Sequence, residues 1–514
     1  MKKRTFVAAV LGLALLGLLS FGQDKKELPL TLEDSIAKAL KNNLNVAVEV
    51  ISPGLAGETL SQAKEYYMPT FGLNYGDSRD ETPATWYLQS SDLLTSKVRN
   101  YGLSVSQQIP MGGSLAVSLA SYKSDSNQSY MLINPYYSST LQFTFTQPLL
   151  RNFGWKVSRR SIIIAQNNLG ISRSQFKSTL IETVYSVETA YWNLVYANEN
   201  LKALQQSLEL GRDLLTKTKK EVEVGQKAPI EVLNAEASVA SREAGILQAE
   251  ALVKRSRDRL KVLLNLDADP AVKGQTIVPA DKPVFKPLVI SYDEALQKAM
   301  ARRPDLESVK YNIDTKKIDF TVAKNRLLPQ LDLELGKSSP GISGTTLDPD
   351  TGLPTGAAVG SFRTSLRDAF KFKYNNWSVA LALTIPLGDM VGRANYAYAK
   401  LDLEQTQARL KNEEQQIALE VSDAVLTLET AAKSVDAYRI ARELAEKQLE
   451  AEMKKLNVGL STNYFVLQYQ NDLANARSNE LKALVDYNIA VAKISQVTGT
   501  TLETRNISLT DYIK

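Results

Sequence analysis

The spacing of apolar residues changes along the chain from the period of a strand to the period of a helix. Residues 141–146 (LQFTFT) alternate between apolar and polar side chains, as a half-buried strand does. Further on, apolar residues recur every three or four positions, at Leu180, Val184, Val187, Tyr191 and Leu194. Proline is absent between Lys156 and Ala228, so we predict one helix over about 158–223. At about 1.5 Å per residue this helix is roughly 100 Å long, and it needs partner helices along its length.

The same order of elements occurs twice. A shift of 260 positions superposes residues 30–76 on 290–336, and a shift of 234 superposes 159–264 on 393–498. The landmarks that coincide include Pro69 with Pro329 and Val224-Gly225 with Val458-Gly459. An internal duplication explains the length better than several unrelated domains. We therefore divide the chain into repeat 1 (23–266), a linker with four prolines (267–289), repeat 2 (290–499) and a C-terminal tail (500–514).

Each repeat is predicted to hold a short helix, a block of strands and two long helices. The strands fall at about 69–149 and 329–387, and the long helices at 156–264 and 393–497. In repeat 2 the first long helix has a heptad seam, formed by Ile417, Val421, Ala424, Leu428, Ala431, Val435 and Tyr438. The helix before the strands of repeat 1 contains Pro53-Gly54, so we expect a break there.

The predicted strands are apolar on one face and small or polar on the other. In repeat 2, for example, Leu331, Leu333 and Leu335 alternate with acidic residues. Segments of about ten residues with this alternation are typical of outer-membrane β-barrels. A soluble sandwich fits any single strand equally well, so the membrane interpretation also depends on the N-terminal segment described next.

The N-terminal residues have the pattern of a secretory signal peptide. Met1–Gly22 combines a basic start with the apolar run Phe6–Leu19 and small residues at its end. The alternative is an uncleaved membrane anchor, for which the run is short. We predict cleavage after Gly22 and export from the cytoplasm.

Composition argues against an enzyme. The chain contains no cysteine and no histidine, which removes disulfides, the usual general base and the commonest metal ligand. No Gly-rich phosphate loop, metal-ligand cluster or nucleophile elbow occurs. We predict no catalytic, metal or cofactor-binding residues. The net charge of +5 does not suggest a nucleic-acid partner.

Repeat 1 contains more strands than repeat 2. Two proline-closed strand ends occur in repeat 1, at Pro110 and Pro148, and one in repeat 2, at Pro386. Between the first two lie a Met111-Gly112-Gly113 turn and the strand Ser114–Tyr122. We predict an added hairpin and six strands in the chain. The alternative is a hairpin that extends outside the membrane.

Four features together resemble the TolC-type outer-membrane efflux proteins over essentially the whole mature chain. They are the duplication, Arg303-Pro304-Asp305-Leu306 at a helix start, Ile385-Pro386-Leu387 at a strand end, and the turn 457–462 echoed at 223–225. The resemblance implies a duplicated α plus transmembrane β fold. Three chains would share one β-barrel in the outer membrane, which a long α-helical barrel continues into the periplasm. Short equatorial helices would surround the tube, and the barrel would have twelve strands in the family pattern or eighteen here.

The resemblance also implies a function and partners. The protein would be a passive outer-membrane exit duct of a tripartite efflux or type I secretion system. Its partners would be two further copies of itself, outer-membrane lipid, a periplasmic adaptor (membrane fusion) protein and an inner-membrane RND, ABC or MFS pump. The alternative is a structural or adhesive coiled-coil envelope protein. The substrate stays open among drugs, metals and proteins.

The two helix turns are the predicted aperture, and the resemblance implies that they are also the adaptor-docking site. The alternative for their glycines is a simple helix C-cap. They fall about 100 Å along the helices from the strands, at the periplasmic tip. The candidate residues are Gly225, Glu231, Gly459, Asn463, Phe465 and Gln468. The register places Phe465 and Gln468 where the best-known family members carry acidic rings, and Glu231 at the acidic position after the first turn. We therefore expect an apolar constriction that contains Phe465.

Overall fold

The computed structural model describes residues 27–85, 92–129, 131–268, 274–348, 350–351, 353–358, 360–509 and 512. The predicted signal peptide, Met1–Gly22, lies outside these residues. The chain forms two compact units. One comprises Met1–Pro53, Arg173–Glu307 and Lys411–Lys514, and the other comprises Gly54–Ser172 and Ser308–Leu410. Each unit therefore takes segments from both sequence repeats.

Long helices and long strands make up most of the described chain. The helices are α1 (Leu32–Asn42), α2 (Leu44–Glu49), α3 (Ser52–Glu65), α4 (Arg160–Glu223), α5 (Ile230–Leu264), α6 (Tyr292–Arg302), α7 (Pro304–Asn325), α8 (Phe362–Phe370), α9 (Met390–Asn457), α10 (Asn463–Val497) and α11 (Thr501–Thr504), with single turns at Trp155–Ser158 and Leu266–Ala268. The strands are β1 (Glu27–Leu30), β2 (Thr70–Pro83), β3 (Leu93–Gln108), β4 (Ser114–Ser126), β5 (Ile133–Pro148), β6 (Thr276–Pro279), β7 (Gln330–Leu347), β8 (Pro354–Ala358) and β9 (Asn376–Thr384).

Six long antiparallel strands form one sheet in the order β2-β3-β4-β5-β7-β9. The short strand β8 pairs with the far part of β7, beyond the stretch that pairs with β9. The strand predicted over Ser114–Tyr122 is β4, and it lies inside the sheet between β3 and β5. The predicted added hairpin is therefore confirmed, and among the described residues the sheet has six long strands.

The sheet has one apolar face. Directly paired residues share a face of a sheet, and Tyr75, Tyr101, Ser121, Ser139 and Gly341 form one such row across five strands. The apolar face comprises this row and Phe71, Leu73, Leu103, Val105, Leu115, Val117, Leu119, Leu141, Phe143, Phe145, Leu331, Leu333, Leu335, Val379, Leu381 and Leu383. The opposite face carries mainly Gly, Ala, Ser, Thr, Asn and acidic residues. At the sheet edges the apolar face is open, with Leu73 76% and Leu381 65% exposed.

Helix α8 packs on the apolar face, and no sequence pattern predicted it. The hydroxyls of Ser365 in α8 and Ser139 in β5 are hydrogen-bonded at 2.9 Å. Gly341 in β7 permits this approach, because a Cβ there would lie 1.9 Å from the Ser365 carbonyl oxygen. Only a glycine fits at this contact.

The long helices match their prediction. Helix α4 has 64 residues and α9 has 68. The predicted apolar residues of α4, from Leu180 to Leu194, are fully buried. On α9 the seam is buried at Ile417, Val421, Ala424, Leu428 and Val435. Tyr438, the last predicted seam residue, is 42% exposed in the single chain.

The core around α4 also includes elements that sequence analysis did not predict. Strands β1 and β6 pair in parallel, from Glu27 with Thr276 to Leu30 with Pro279. The buried Tyr191 hydroxyl donates to the Leu30 carbonyl at 3.0 Å or to the Asp281 carboxylate at 2.8 Å. The pairing fixes part of the predicted linker against the long helix.

The helix before β2 breaks as predicted. Helix α2 ends at Glu49 and α3 begins at Ser52, so Pro53 lies in the first turn of α3, where its missing N–H costs no hydrogen bond. The corresponding α7 of repeat 2 is continuous. Across the described residues, no helix has an apolar stretch long enough to cross a bilayer.

Candidate site at the two helix turns

The turn between α4 and α5 is a helix C-cap built around Gly225. The amide of Gln226 donates to the Glu221 carbonyl at 2.8 Å, and the amide of Gly225 donates to the Val222 carbonyl at 3.0 Å. These are the two bonds of a Schellman motif, which needs a left-handed residue between them. Gly225 supplies that residue with φ +74°.

The turn between α9 and α10 has the same geometry. Leu460 donates to the Lys455 carbonyl at 2.9 Å and Gly459 donates to Leu456 at 3.0 Å. Gly459 has φ +77°, and a Cβ added at either glycine would have no atom within 4 Å. The glycines are therefore required by their backbone conformation, and a side chain at either position would enter open space.

Asn463 connects the two turns. It is 1% exposed at the start of α10. Its amide nitrogen donates to the Thr218 hydroxyl of α4 at 2.7 Å, and its amide oxygen accepts from the Lys227 ammonium at 2.7 Å. Lys227 also forms an ion pair with Glu221 at 2.8 Å. A residue of the second turn thus contacts both the helix before the first turn and the loop after it.

Glu452 stabilises the second turn by accepting two hydrogen bonds. Its carboxylate accepts from the Ser461 hydroxyl at 2.5 Å and from the Lys455 ammonium at 3.1 Å. These hydrogen bonds, the one from Ser461 first, hold the pKa of Glu452 below its ordinary value. Because the pKa of Glu452 is lower in the folded state than in the unfolded state, its ionised carboxylate stabilises the turn at pH values above the ordinary carboxyl pKa. This stabilisation is lost as the pH falls through the lowered pKa.

Further from the turns, Arg242 of α5 forms hydrogen bonds to two neighbouring helices, α4 and α10. Its guanidinium donates to the Ser207 carbonyl of α4, to the Gln470 side chain at 3.3 Å and to the Leu467 carbonyl at 3.4 Å, both on α10. Burial lowers the pKa of Arg242, because the charged form loses solvation. A Cβ at Gly211 would lie 2.9 Å from this guanidinium, so the glycine makes room for it.

The structure places the six predicted residues in different surroundings. Asn463 is in the hydrogen-bonded contact described above, and Gly225 and Gly459 form the caps.

Phe465 is 46% exposed and packs edge-on against Tyr464 at 5.5 Å between ring centroids. Gln468 is exposed. Glu231 is half-buried, and within the described residues its enclosed Oε2 has no hydrogen-bond partner.

Four residues of this region were not predicted from the sequence, namely Thr218, Lys227, Glu452 and Arg242. Arg242 was detectable, because it occupies a heptad position of α5 between buried Val239 and Ala249. A charged residue on a buried seam indicates a specific partner. Nothing in the sequence around Thr218, Lys227 and Glu452 distinguishes them from ordinary residues near a helix end. No cluster of potential metal ligands occurs among the described residues.

Comparisons with a family profile, with related sequences and with solved structures indicate the same family. The profile of the outer membrane efflux protein family matches residues 114–266 and 295–500. Outer membrane efflux protein BepC of Brucella suis is 23% identical over 473 residues, 91% of this chain and 85% of that protein. Outer membrane protein TolC of Escherichia coli is 24% identical over 73% of this chain and 72% of its own length. The crystal structure of the Campylobacter jejuni CmeC outer membrane channel superposes with a TM-score of 0.65 at 16% identity, over 96% of both chains. The chain therefore belongs to the outer membrane efflux protein family and resides in the outer membrane.

Proposed function

We propose that the protein is the passive outer-membrane duct of a tripartite efflux or type I secretion system, and that it works as a homotrimer. The observation that carries this proposal is a sheet with an exposed apolar face and two open edges. Among the described residues, β2 and β9 each pair on one side only. Unpaired backbone groups cost several kcal/mol each in lipid, so a sheet of this kind requires closure. Further copies of the same chain can supply that closure.

The strand number supports closure by identical copies. Strand direction alternates along β2-β3-β4-β5-β7-β9, and six is even. Strand β9 of one chain is therefore antiparallel to β2 of the next, as a ring of antiparallel strands requires. Three chains would give an eighteen-stranded barrel with the apolar face toward lipid. The Gly-, Ser- and Asn-rich face would then line a polar lumen.

The helix turns would form the periplasmic mouth. Three chains would bring six turns around one opening, with Gly225 and Gly459 exposed for an adaptor protein. Phe465 and Gln468, exposed in one chain, would face the opening or a neighbouring chain, and Glu231 would add charge nearby. The duct itself uses no energy source. An inner-membrane pump of the RND, ABC or MFS class would select the substrate.

A structural or adhesive coiled-coil protein is the alternative function. Its helices would need the same heptad seams. It would not need a six-stranded sheet whose apolar side chains are exposed at both edges. The sheet therefore favours the duct.

Reconstitution of the purified full chain in planar lipid bilayers tests the proposal. We expect stepwise, ohmic conductance from a species that migrates as a trimer before heating and as a monomer after it. A preparation that is folded and trimeric but produces no conductance steps would contradict the duct and favour the structural role.

A further inference from the structure

We propose that helix α8 and the segment after it form a binding site for the phosphate groups of anionic lipids at the outer boundary of the membrane. We call Arg363, Arg367, Lys371 and Lys373 the cationic rim. The inference rests on the proposed function, because it requires the apolar face to contact lipid. It assigns to this region a ligand that a duct as such does not need.

Helix α8 is held firmly on the apolar face. The Phe362 ring contacts Tyr101 and Tyr137, with ring centroids 5.7 and 6.2 Å apart. Ser365 and Ala369 are fully buried against the sheet, with Ser365 bonded to Ser139. The opposite side of α8, which carries Arg363, Arg367 and Phe370, is therefore presented outward.

The position of α8 matches one boundary of a lipid layer. Ten residues separate Leu331, near the start of β7, from Gly341 beneath α8. At about 3.3 Å per residue, this distance is roughly 33 Å along the strand. A barrel strand tilted by about 40° would span about 25 Å of it across the membrane, which is the height of the apolar band of such barrels. Helix α8, with Arg363 and Arg367, would therefore lie at headgroup level.

The rim carries more positive charge than the chain neutralises. Arg363 and Arg367 are one helical turn apart and exposed. The Asp368 carboxylate forms ion pairs with two members of the rim, Lys373 at 3.0 Å and Arg367 at 3.8 Å. Among the described residues, Arg363 and Lys371 form no ion pair with a carboxylate. Like charges at this spacing repel, so an anion between the two arginines would stabilise the helix.

Exposed aromatic residues lie close to the rim in the sequence and favour a lipid over a free anion. Phe370 is 57% exposed, Tyr374 48% and Trp377 75%. The Lys337 ammonium lies 5.2 Å from the Phe372 ring centroid. Aromatic and basic residues occur together at membrane interfaces, where rings contact acyl chains and guanidinium groups contact phosphate. A molecule with both a phosphate and acyl chains fits this combination.

Native mass spectrometry of the detergent-solubilised full chain tests the site. The probes are dihexanoyl phosphatidic acid, dihexanoyl phosphatidylcholine and inorganic phosphate. We expect the protein to retain phosphatidic acid about tenfold better than phosphatidylcholine. Both carry a phosphate, but the choline cation of phosphatidylcholine cancels its charge and is repelled by the arginines. The double variant Arg363→Gln with Arg367→Gln should lose this preference. Arg255→Gln with Arg259→Gln is the matched control, because these exposed arginines of α5 have the same spacing and lie far along the chain from α8.

The outcomes separate this site from the proposed function. Both double variants should still form trimers and conduct in bilayers. A variant at Arg363 and Arg367 that keeps the preference overturns the site, and so does displacement of phosphatidic acid by inorganic phosphate at equal concentration. If the wild-type chain binds no anionic lipid but conducts, only the lipid site fails. If the wild-type chain does not enter bilayers at all, the proposed duct function is refuted, and the lipid site, which rests on it, is refuted with it.

Discussion

Replacing Asn463 with leucine would remove the hydrogen bonds that connect the two helix turns and keep the number and branching of the side-chain heavy atoms. The bond to Thr218 is between neutral groups and contributes about 1 kcal/mol, while the bond from the Lys227 ammonium contributes about 1.5–3 kcal/mol. Lys227 keeps its ion pair with Glu221 at 2.8 Å, and Thr218 keeps its bond to the Leu214 carbonyl at 2.7 Å. The contact between the turns is therefore weakened by about 2 kcal/mol. This raises about 30-fold the fraction of molecules in which the contact is broken.

Amide hydrogen exchange and single-channel recording measure this loss. In Asn463→Leu, amides of residues 460–466 should exchange about 30-fold faster, while those of 417–428 on the α9 seam should not change. Conductance should rise, because the second turn can move away from the first. Asn475→Leu is the control, since Asn475 is exposed on the same helix. If Asn463→Leu exchanges and conducts like the wild type, the contact between the turns does not hold the mouth together.

Three further variants test other parts of the proposed duct. Val421→Asp with Leu428→Asp puts two carboxylates at positions no more than 2% exposed, which should cost several kcal/mol and prevent trimer recovery on semi-native gels; normal trimer yield would contradict the seam. Phe465→Ala should increase single-channel conductance, and an unchanged value would remove Phe465 from the constriction. Gly459→Trp costs about 1–2 kcal/mol of backbone strain, but its Cβ would have no atom within 4 Å. It should leave trimers intact and block efflux of a dye from cells, whereas normal efflux would exclude Gly459 from adaptor docking.

The long elements were predictable because each repeats one simple period many times. A heptad seam on α9 and alternation in β4 both follow from which side chains must be buried, and the duplication fixes their order. The turns at Gly225 and Gly459 were predictable for a related reason, since a left-handed residue is needed where a long helix ends.

Helix α8 was not predictable from its own residues. Its nine residues are too few to show a period, and its position depends on Gly341 and Ser139 in strands that are distant in sequence. The contact between Asn463 and Lys227 has a similar origin. It depends on how two helical hairpins pack side by side, and residue spacing within either hairpin does not determine that.

The duplication allows the register between neighbouring chains to be inferred. Within the chain, Thr146 of β5 pairs with Glu334 of β7. The repeat counterpart of Thr146 is Thr384, two residues before Pro386, and the counterpart of Glu334 is Asn74, 260 positions earlier. Thr384 of one chain should therefore face Asn74 of the next across the β9–β2 junction. Both side chains lie on the small, polar face of the sheet.

Cysteine cross-linking across this junction tests closure of the barrel most directly, because the natural chain has no cysteine. In Asn74→Cys with Thr384→Cys, the two thiols of one chain are five strand spacings apart, or about 24 Å, which excludes a bond within the chain. Oxidation of the outer-membrane protein should give a covalent trimer on denaturing gels. The control, Asn74→Cys with Ser378→Cys, displaces one thiol by six residues, or about 20 Å, and should stay monomeric. A monomer in the first variant, or equal cross-linking in both, would contradict a shared barrel of eighteen strands.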